Sequence, residues 1–515
     1  MPHSTPPSPA RRFVLWGVAC ATSLLVSCPS SGDSGPKLER PNIVLVTIDT
    51  LRADHLGCYG YFRDTTPHID AIAKESVVFD AAYATMATTL PSHASMMTAR
   101  YPLEHGILAN LMHGGKPFGW KQGMLSFAQV AKDAGYVTAG FVSSAPLKSQ
   151  SGIGVGFDTW SEPALEQSER KAGQTLAEVL PWLEQAPREP FFLWVHLFDP
   201  HWPHRAPPPF DTQFQKDGPD PELEAWIAAR KIGESAVRSN AKKTTETRAA
   251  LNNYCAEVAY TDSQVGVLLD ALRAKGLLER SILTITADHG EGLNQHDWTA
   301  HGLVWEEQLR VPLIMRFPAA ARQAPRRIAS IVSLIDLMPT MLGRVEPWPT
   351  PSWKQFFAVA TGVDALDPSF EERPVYAQRT GREMERDPGE MFALTTRDWK
   401  YIDEPEVGRM LFDRRKDPFE LENLYQREPQ AAEGVQRLTL LMRELQSKRG
   451  AALGEAQAGA LDPKVLKAIR DLGYMGGDDG RNGEGGARPP HESPAEGVAP
   501  SPASSENERD AQRKP

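Results

Sequence analysis

This chain has few cysteines and no excess of basic residues. It has four cysteines in 515 residues, and its formal net charge is -10 at pH 7. Without a basic surface to neutralise phosphates, we expect no nucleic-acid partner. The cysteines are too few for a disulfide framework or a cysteine-rich metal site. We expect Cys58 and Cys255 to be buried and unpaired, although they could pair in an oxidising compartment.

A membrane-spanning apolar run is also missing. The run near the N-terminus, VLWGVACATSLLV, is too short to cross a bilayer comfortably. It follows the basic segment ARRF and precedes LVSC, an arrangement that resembles a bacterial lipoprotein signal. We therefore predict a signal peptide over 1–27, a lipidated Cys28 and a tether over 28–40. The chain would then be exported and anchored in the bacterial cell envelope, at the periplasmic face or the outer membrane. Ordinary secretion with a nearby cleavage site is the alternative.

The rest of the chain is long enough for one large domain and a smaller one. Buried-strand patterns such as PNIVLVTID and SILTITADHG alternate with helical patterns such as VGVLLDALRAKG. This alternation predicts an α/β fold over 41–345, a large α/β/α sandwich with a mostly parallel central sheet. Short strands and a helix over 434–448 predict a smaller C-terminal α+β domain over 346–475. The low-complexity segment 476–515 is expected to be disordered.

Three of the predicted strands end in side chains that can bind a metal ion. The three groups are Asp49; Asp288 with His289; and His196, Asp199 and His201 around FDPHWPH. Parallel strands bring their carboxyl ends to the same edge of a sheet, where ligands bind. Rigid strands would fix these side chains, and the loops after them would leave an open coordination position. The sequence therefore predicts a metal site at this edge.

Six longer motifs, in this order, resemble the sulfatase family of the alkaline phosphatase superfamily. They are PNIVLVTIDTLRADHLGCYG, TTLPSHASMMTARYPLEHG, FLWVHLFDPHWP, ADHGEGLNQHDWTAHGLVWEEQLRVPLI, IVSLIDLMPTML and LFDRRKDPFELENL. The resemblance covers roughly residues 41–475. It implies the alkaline phosphatase/sulfatase fold and a metal-dependent hydrolase that acts on an anionic ester.

The resemblance also implies a nucleophile in the stretch TTLPSHASMM, which is typical of a helix start capped by threonine. Sulfatases carry C-x-P-S-R or S-x-P-S-R here, and their Cys or Ser becomes formylglycine. The matching residues of this chain run from Thr89 to His93. Threonine cannot give the formylglycine aldehyde, so no formylglycine is expected. Phosphodiesterases and phosphoethanolamine transferases of the superfamily use a threonine at this position. Thr89 is therefore implied as a direct nucleophile, and Ser92 as a structural residue.

Two departures from the family bear on the metal. Thr50 stands where sulfatases often carry a second aspartate, and His289 where many carry asparagine. An imidazole in place of oxygen ligands favours manganese, zinc or iron over calcium or magnesium. One divalent ion is expected, and the implied ligands are Asp49, Thr89, Asp288 and His289. A second ion on Asp199 and His296 is less favoured, because the D-x-x-x-H spacing of two-zinc relatives would need a histidine at residue 203, which is proline.

The remaining roles follow from position in the family motifs. His201 is expected to be the general acid for the leaving alcohol. His301, which stands where the family has lysine, is expected to be its partner or a ligand of the oxyanion. His93 replaces the motif's arginine, and the residues expected to contact substrate oxygens are His93, Asn110 and His196.

Three functions stay open at this point. The first is hydrolysis of phosphodiesters or of phosphonate and phosphate esters, or phosphoryl transfer, with Thr89 as nucleophile. The second is hydrolysis of sulfuric esters, as in an ordinary sulfatase or arylsulfatase. The third is a non-catalytic lipoprotein that kept the fold. The segments 115–125 and 205–245, where we expect specificity to be set, carry no readable code for a substrate.

Overall fold

The main sheet of the computed structural model has eight strands. They are β1 (Asn42–Ile48), β2 (Val77–Tyr83), β5 (Val137–Phe141), β6 (Thr159–Ser161), β7 (Phe191–Leu197), β8 (Ser281–Ala287), β9 (Arg310–Arg316) and β10 (Arg326–Ser333). Their order in the sheet is β10-β2-β9-β8-β1-β7-β5-β6. All neighbours are parallel except β9, which runs antiparallel to both β2 and β8. The predicted mostly parallel sheet is confirmed.

The structure describes most of the chain. The described residues are 38–112, 116–117, 119–121, 123–185, 187–216, 218–232, 244–321, 323–380, 389–405, 407–425, 439–440, 443–444, 447 and 462–472. The predicted signal peptide, Cys28, most of the tether, the C-terminal tail and most of the helix predicted over 434–448 lie outside them. Among the helices in the described residues, none combines the length and the apolar character needed to cross a membrane.

Eleven helices are described beside the sheets. They are α1 (Pro67–Ala73), α2 (Thr89–Thr98), α3 (Pro102–His105), α4 (Phe127–Asp133), α5 (Ala172–Glu184), α6 (Pro221–Ala229), α7 (Thr244–Ala274), α8 (Glu306–Leu309), α9 (Leu337–Leu342), α10 (Pro351–Val359) and α11 (Pro463–Asp471). The apolar positions of α5 that face the sheet, Leu176, Val179 and Leu183, are spaced three or four residues apart and are fully buried. Amphipathic spacing thus fixes which face of the helix covers the sheet.

Two smaller sheets complete the fold. The C-terminal one is antiparallel, in the order β11 (Val375–Arg379), β12 (Met391–Thr395), β13 (Trp399–Glu404) and β14 (Gly408–Asp413). A short hairpin pairs β3 (Leu111–Met112) with β4 (Lys116–Pro117). Apolar residues of the C-terminal sheet belong to the same buried core as the main sheet. The smaller α+β part is therefore packed on the large one.

Strands β8, β1 and β7 are neighbours and end in register. Ile48 of β1 lies opposite Ala287 of β8 and Leu197 of β7. The residues after these strands therefore emerge at the same edge, as expected for a parallel sheet. Strand β1 is fully buried, which explains its continuous apolar, β-branched sequence.

The two cysteines in the described residues are both free thiols, as predicted. Cys255 is buried, and its sulfur lies 3.0 Å from the Tyr61 hydroxyl. Cys58 is partly buried.

Candidate active site

Asp49 and Asp288 extend the register of β1 and β8 by one residue each. Both side chains are completely buried. The Thr50 amide, next in the chain to Asp49, donates a hydrogen bond to Asp288 Oδ1 at 3.2 Å. Thr50 itself has φ of 54°, a left-handed conformation that is uncommon for a threonine. The turn after β1 is therefore bent toward the second carboxylate.

Asp49, Asp288 and His289 place one ligand atom each within 4.8 Å of one another. His289 Nε2 lies 3.4 Å from Asp288 Oδ2 and 3.8 Å from Asp49 Oδ1. Both Asp49 oxygens, Asp288 Oδ2 and His289 Nε2 are buried and have no hydrogen-bond partner in the described part of the chain. Buried polar atoms normally have partners. A converging set without partners fits a cation, as the sequence predicted.

The electrostatics of the two carboxylates also favour a cation. Burial and the negative charge of Glu169 raise the pKa of Asp49 well above its ordinary value. Burial and the charge of Asp49 raise the pKa of Asp288 in the same direction. Two buried carboxylates side by side are costly as anions unless a positive charge lies between them.

The tautomer of His289 suits a metal ligand. Its Nδ1 lies 3.0 Å from the carbonyl oxygen of Gly290, which can only accept a hydrogen bond. Nδ1 therefore carries the proton, and the lone pair is on Nε2, which faces the two aspartates. A histidine that binds a metal usually donates its other ring N–H in this way.

Helix α2 brings Thr89 to the same edge. Its ten residues are all buried, and Thr89 is the first of them. The Ser92 hydroxyl donates a hydrogen bond to the backbone oxygen of Asp288 at 2.7 Å. Ser92 thus has a structural role, as implied by the resemblance: it joins the first turn of α2 to the strand end that carries the candidate metal ligands.

Asn110 caps the helix from a distance. Thr88 occupies the N-cap position, but its side chain makes no capping hydrogen bond, contrary to the prediction. Asn110 Oδ1 instead accepts the Leu90 amide proton at 2.9 Å. The Nδ2 atom of Asn110 is buried and has no hydrogen-bond partner among the described residues. A buried amide donor therefore remains next to Thr89, where a substrate oxygen could accept from it.

His93 occupies a different position from the one predicted. Its Nδ1 donates to the backbone oxygen of Thr89 at 2.7 Å, and its Nε2 lies 3.0 Å from the Thr47 hydroxyl. That hydroxyl also accepts a hydrogen bond from Trp194 Nε1 at 2.9 Å, so its own proton is directed to His93. Both ring nitrogens are thus used by the protein, and His93 has none left for the substrate contact that we expected.

His196 lies between β1 and the loop after β5. Its Nδ1 accepts the Ser143 amide proton at 3.3 Å, which places the ring proton on Nε2. Nε2 is 3.5 Å from Asp49 Oδ2 and has no hydrogen-bond partner in the described residues. Burial lowers the pKa of His196 to about 3, so the ring is neutral and presents an N–H toward the Asp49 carboxylate.

His201 and His301 form a pair on the other side of the site. Their Nε2 atoms are 3.2 Å apart. His201 Nδ1 donates to the backbone oxygen of Trp202, and His301 Nδ1 donates to that of Ala87, two residues before Thr89. The His301 ring also lies 4.4 Å from the His289 ring, measured between centroids. The predicted acid His201 therefore contacts His301, and His301 in turn contacts His289 of the candidate metal cluster.

The alternative second metal pair is not brought together. Asp199 is bound by Lys171 at 2.8 Å and by the Ala172 amide. His296 instead lies 3.2 Å from Glu307 Oε1, with its ring stacked on Trp305. The structure therefore gives no support to a second ion on these two residues.

Several supporting residues could not be recognised in the sequence. Thr47, Trp194 and Ser143 act only through partners far along the chain, and nothing in their local sequence marks them. Glu169 is half-buried, and burial together with the charge of Asp199 raises its pKa to about 7, while Lys171 opposes the rise. The sequence around Glu169 does not mark this residue, and its effect on Asp49 becomes apparent only from the fold.

The sequence model of the Sulfatase family matches residues 41–346, which is more than half of the chain. A second model, N-sulphoglucosamine sulphohydrolase, C-terminal, matches residues 294–448. The chain therefore belongs to the sulfatase family, within the alkaline phosphatase superfamily. Its members are hydrolases of ester bonds, and the candidate metal cluster of this chain lies at the end of its mostly parallel sheet.

Two sequence relatives and one solved structure show what the chain is similar to. The chain is 26% identical over 455 residues to an ulvan-active sulfatase of Formosa agariphila, covering 81% of each chain. It is 25% identical over 419 residues to human iduronate 2-sulfatase, covering 66% of this chain and 75% of that protein. The fold matches the phosphonate monoester hydrolase of Agrobacterium radiobacter with a TM-score of 0.61 at 20% identity, over 80% of this chain and 96% of that one.

Proposed function

We propose that this chain is an exported metal-dependent hydrolase that uses Thr89 as its nucleophile on phosphodiesters or on phosphonate and phosphate esters. The observation that carries the proposal is the position of Thr89. It begins a buried helix whose first turn is tied to Asp288, the centre of the cation-binding cluster. Phosphoryl transfer to an acceptor alcohol uses the same first step and is included in the proposal.

The cation-binding residues would be Asp49, Asp288 and His289, with the Thr89 hydroxyl as a further ligand. A divalent cation held there would neutralise the charge of an anionic ester and lower the pKa of an oxygen ligand. The imidazole among the ligands favours manganese, zinc or iron, and calcium and magnesium remain possible.

The chemistry of threonine separates it from the usual sulfatase nucleophile. Formylglycine requires a side chain whose Cβ carries one heteroatom and two hydrogens, so that oxidation gives an aldehyde. The Cβ of Thr89 carries a methyl group, and oxidation there would give a ketone. Its hydroxyl, however, can attack an ester directly when its proton is removed.

The proposed reaction has two steps, and each proton that moves has a donor and an acceptor. The Thr89 Oγ–phosphorus bond would form as the hydroxyl proton passes to water and as the bond from phosphorus to the leaving oxygen breaks. The leaving oxygen would take a proton from the His201–His301 pair. Water would then hydrolyse the threonine ester, releasing the product and restoring the hydroxyl and the histidine pair.

Other residues would position the substrate. Asn110 Nδ2 and the N-terminus of α2 would face the oxygens of the anionic ester. His196 Nε2–H would donate to a substrate oxygen or hold Asp49. His93 would orient the Thr89 backbone through its hydrogen bond to the carbonyl oxygen.

Hydrolysis of sulfuric esters is the second candidate function. The observation that favours it is family membership, since the relatives named above include two sulfatases. The chemical difficulty is release of the product. A formylglycine hydrate can expel sulfate by collapsing to the aldehyde, whereas a sulfated threonine must wait for water to attack.

Matched nitrophenyl esters would distinguish the two. Initial rates would be measured on a phosphodiester, a phosphonate monoester and a sulfate ester with the same leaving group, using metal-reconstituted protein. The proposal predicts that the phosphorus esters turn over faster by orders of magnitude. Faster sulfate release would establish the sulfatase reading, and no turnover of any ester by a metal-loaded protein would favour a non-catalytic lipoprotein.

We also propose that the chain works at the bacterial cell envelope, tethered through a lipid on Cys28. The motif LVSC after a short apolar run supports this location. Mass analysis of the mature protein from cell envelopes would test it, because a lipidated N-terminal Cys28 differs in mass from a free one.

A further inference from the structure

A helix from the end of the described chain covers one wall of the candidate site. Four apolar residues of and after α11, namely Val465, Ala468, Ile469 and Leu472, form a buried cluster with Leu111, Ala145 and Phe198. The spacing of the four places them on one face of the helix. This cluster is separate from the main core, so α11 contacts the wall of the site and not the interior of the sheet.

Phe198 links this cluster to the predicted general acid. Its ring lies 4.5 Å from the His201 ring, measured between centroids, with 33° between the planes. Phe198 also follows the last residue of β7 directly. Phe198 therefore belongs to the cluster that α11 completes and also contacts the predicted acid.

The other two wall residues are also next to the site. Leu111 follows Asn110, whose side chain caps α2 beside Thr89. Ala145 lies two residues after Ser143, whose amide fixes the tautomer of His196. Each residue beneath α11 is thus connected, through one or two peptide bonds or one ring contact, to a side chain placed at the site.

The start of the helix is anchored by polar contacts. The Asp462 amide, just before α11, donates to Gln150 Oε1 at 3.2 Å. Gln150 belongs to the loop that follows Ala145. The helix is therefore held by its apolar face and by its N-terminal end on the same wall.

We propose that α11 is a positioning element of the active site, and that its packing on Phe198 holds His201 where it can protonate the leaving group. The proposal rests on the function proposed above for His201. A general acid must lie within hydrogen-bond reach of the leaving oxygen, so a small displacement of its ring lowers the rate. Because α11 lies some 260 positions further along the chain than His201, the acid of this enzyme depends on the C-terminal part of its own sequence.

The test compares two variants that change the charge equally. Ile469→Glu puts a carboxylate into the buried cluster and should undock the helix. Lys464→Gln, on the exposed face, alters the net charge by the same amount and should leave docking intact. Ile469→Leu keeps the apolar contact and should preserve activity.

The activity readout is the dependence of kcat/KM on the leaving group, measured on whichever ester class the wild type hydrolyses. A displaced acid slows esters of poorly acidic alcohols most, because nitrophenolate leaves without a proton. We expect Ile469→Glu to lose about 10- to 100-fold on alkyl esters and much less on nitrophenyl esters. The double variant Ile469→Glu/His201→Asn should lose no more than His201→Asn alone. An equal loss on all esters, or no loss, would overturn the proposal.

Hydrogen exchange gives a second readout that needs no activity. Backbone amides of 196–204 should exchange faster in Ile469→Glu than in Lys464→Gln, while those of β1 and β8 stay protected. Unchanged exchange at 196–204 would overturn the positioning role. If the wild type hydrolyses no ester, the proposed function fails, and the exchange result still decides whether α11 orders this wall.

Discussion

The Nε2 atoms of His201 and His301 lie 3.2 Å apart, although each ring gives its Nδ1 proton to a backbone carbonyl. A hydrogen bond between the two Nε2 atoms therefore requires one additional proton that the pair shares. Burial lowers the pKa of His301 to about 4 and that of His201 well below its ordinary value. An anionic ester bound beside the rings would raise both pKa values, so the pair would gain its proton together with the substrate.

This relationship predicts the effect of removing the acid. His201→Asn should reduce kcat/KM by about 10²- to 10⁴-fold on esters of alkyl alcohols, the usual range for general acid catalysis. The loss on nitrophenyl esters should be much smaller, because that leaving group needs no proton. Steady-state rates on the two ester types check the prediction, and an equal loss on both would remove His201 from the role of acid.

The exposed indole beside the acid predicts a binding effect. Trp202 is 53% exposed and is the only aromatic residue among the strongly exposed large apolar side chains of the described residues. Trp202 is next in the chain to His201, so we expect its exposed ring to contact a leaving group that reaches the acid. Trp202→Ala should therefore raise KM for esters with aryl or sugar leaving groups about fivefold or more, with little change for methyl esters. Trp202→Phe, which keeps an aromatic face, is the control, and equal KM values for all three proteins would contradict the prediction.

Metal binding is expected to depend on the cluster at the strand ends. Metal-reconstituted protein should contain about one manganese, zinc or iron ion per chain by elemental analysis, and the ion should raise its melting temperature. Asp288→Asn should weaken binding by more than the roughly 10- to 100-fold that loss of a supporting residue costs.

The matched control for metal binding is Asp270→Asn, which changes an exposed aspartate on α7. It should bind metal as the wild type does. Normal metal content in Asp288→Asn would contradict the assignment, and stoichiometric calcium without any transition metal would contradict the preference inferred from His289.

Buried neutral histidines predict acid sensitivity away from the site. Burial lowers the pKa of His55 to about 4 and that of His105 to about 3. Between these values and the unfolded pKa near 6.5, the unfolded chain binds more protons than the folded one. The contribution of these neutral histidines to the free energy of unfolding is thus complete above about pH 6.5. It falls on acidification, by roughly 3 kcal/mol for His55.

Urea unfolding at several pH values checks this dependence. Buried carboxyl groups with raised pKa values, such as Glu169, oppose the histidines over this range, so the prediction concerns the difference between proteins. From pH 7 to 5, the free energy of unfolding of the wild type should decrease relative to that of His55→Gln. His68→Gln, which changes an exposed histidine, is the control. A difference between the wild type and His55→Gln that stays constant over this range would contradict the prediction.

The sequence predicted those candidate site residues that come directly after buried strands. Asp49, Asp288 and His289 could be placed together because buried strands are recognisable in the sequence and because the carboxyl ends of parallel strands meet at the same edge of the sheet. The alternation of strand and helix patterns likewise predicted the mostly parallel sheet. These features depend on local pattern and on general rules of topology.

Contacts between distant segments could not be predicted. His93 is hydrogen-bonded to the Thr47 hydroxyl, and that hydroxyl in turn accepts from Trp194, which lies about a hundred residues from His93 in sequence. The capping of α2 by Asn110 replaced the expected threonine cap for the same reason. Side-chain partners of this kind are selected by tertiary packing, which leaves no periodic signal in the sequence.

The central claim is that Thr89 is the nucleophile. The most direct test is mass spectrometry of the peptide that contains Thr89, after acid quenching during turnover of a phosphodiester or phosphonate ester. We predict a phosphoryl or phosphonyl adduct on Thr89 that forms and decays at rates consistent with kcat. Thr89→Ala should form no adduct and lose turnover while keeping its melting temperature, and Thr89→Ser, which retains a hydroxyl, should keep part of both. An unmodified Thr89 during rapid turnover, together with near-normal rates in well-folded Thr89→Ala, would contradict the account.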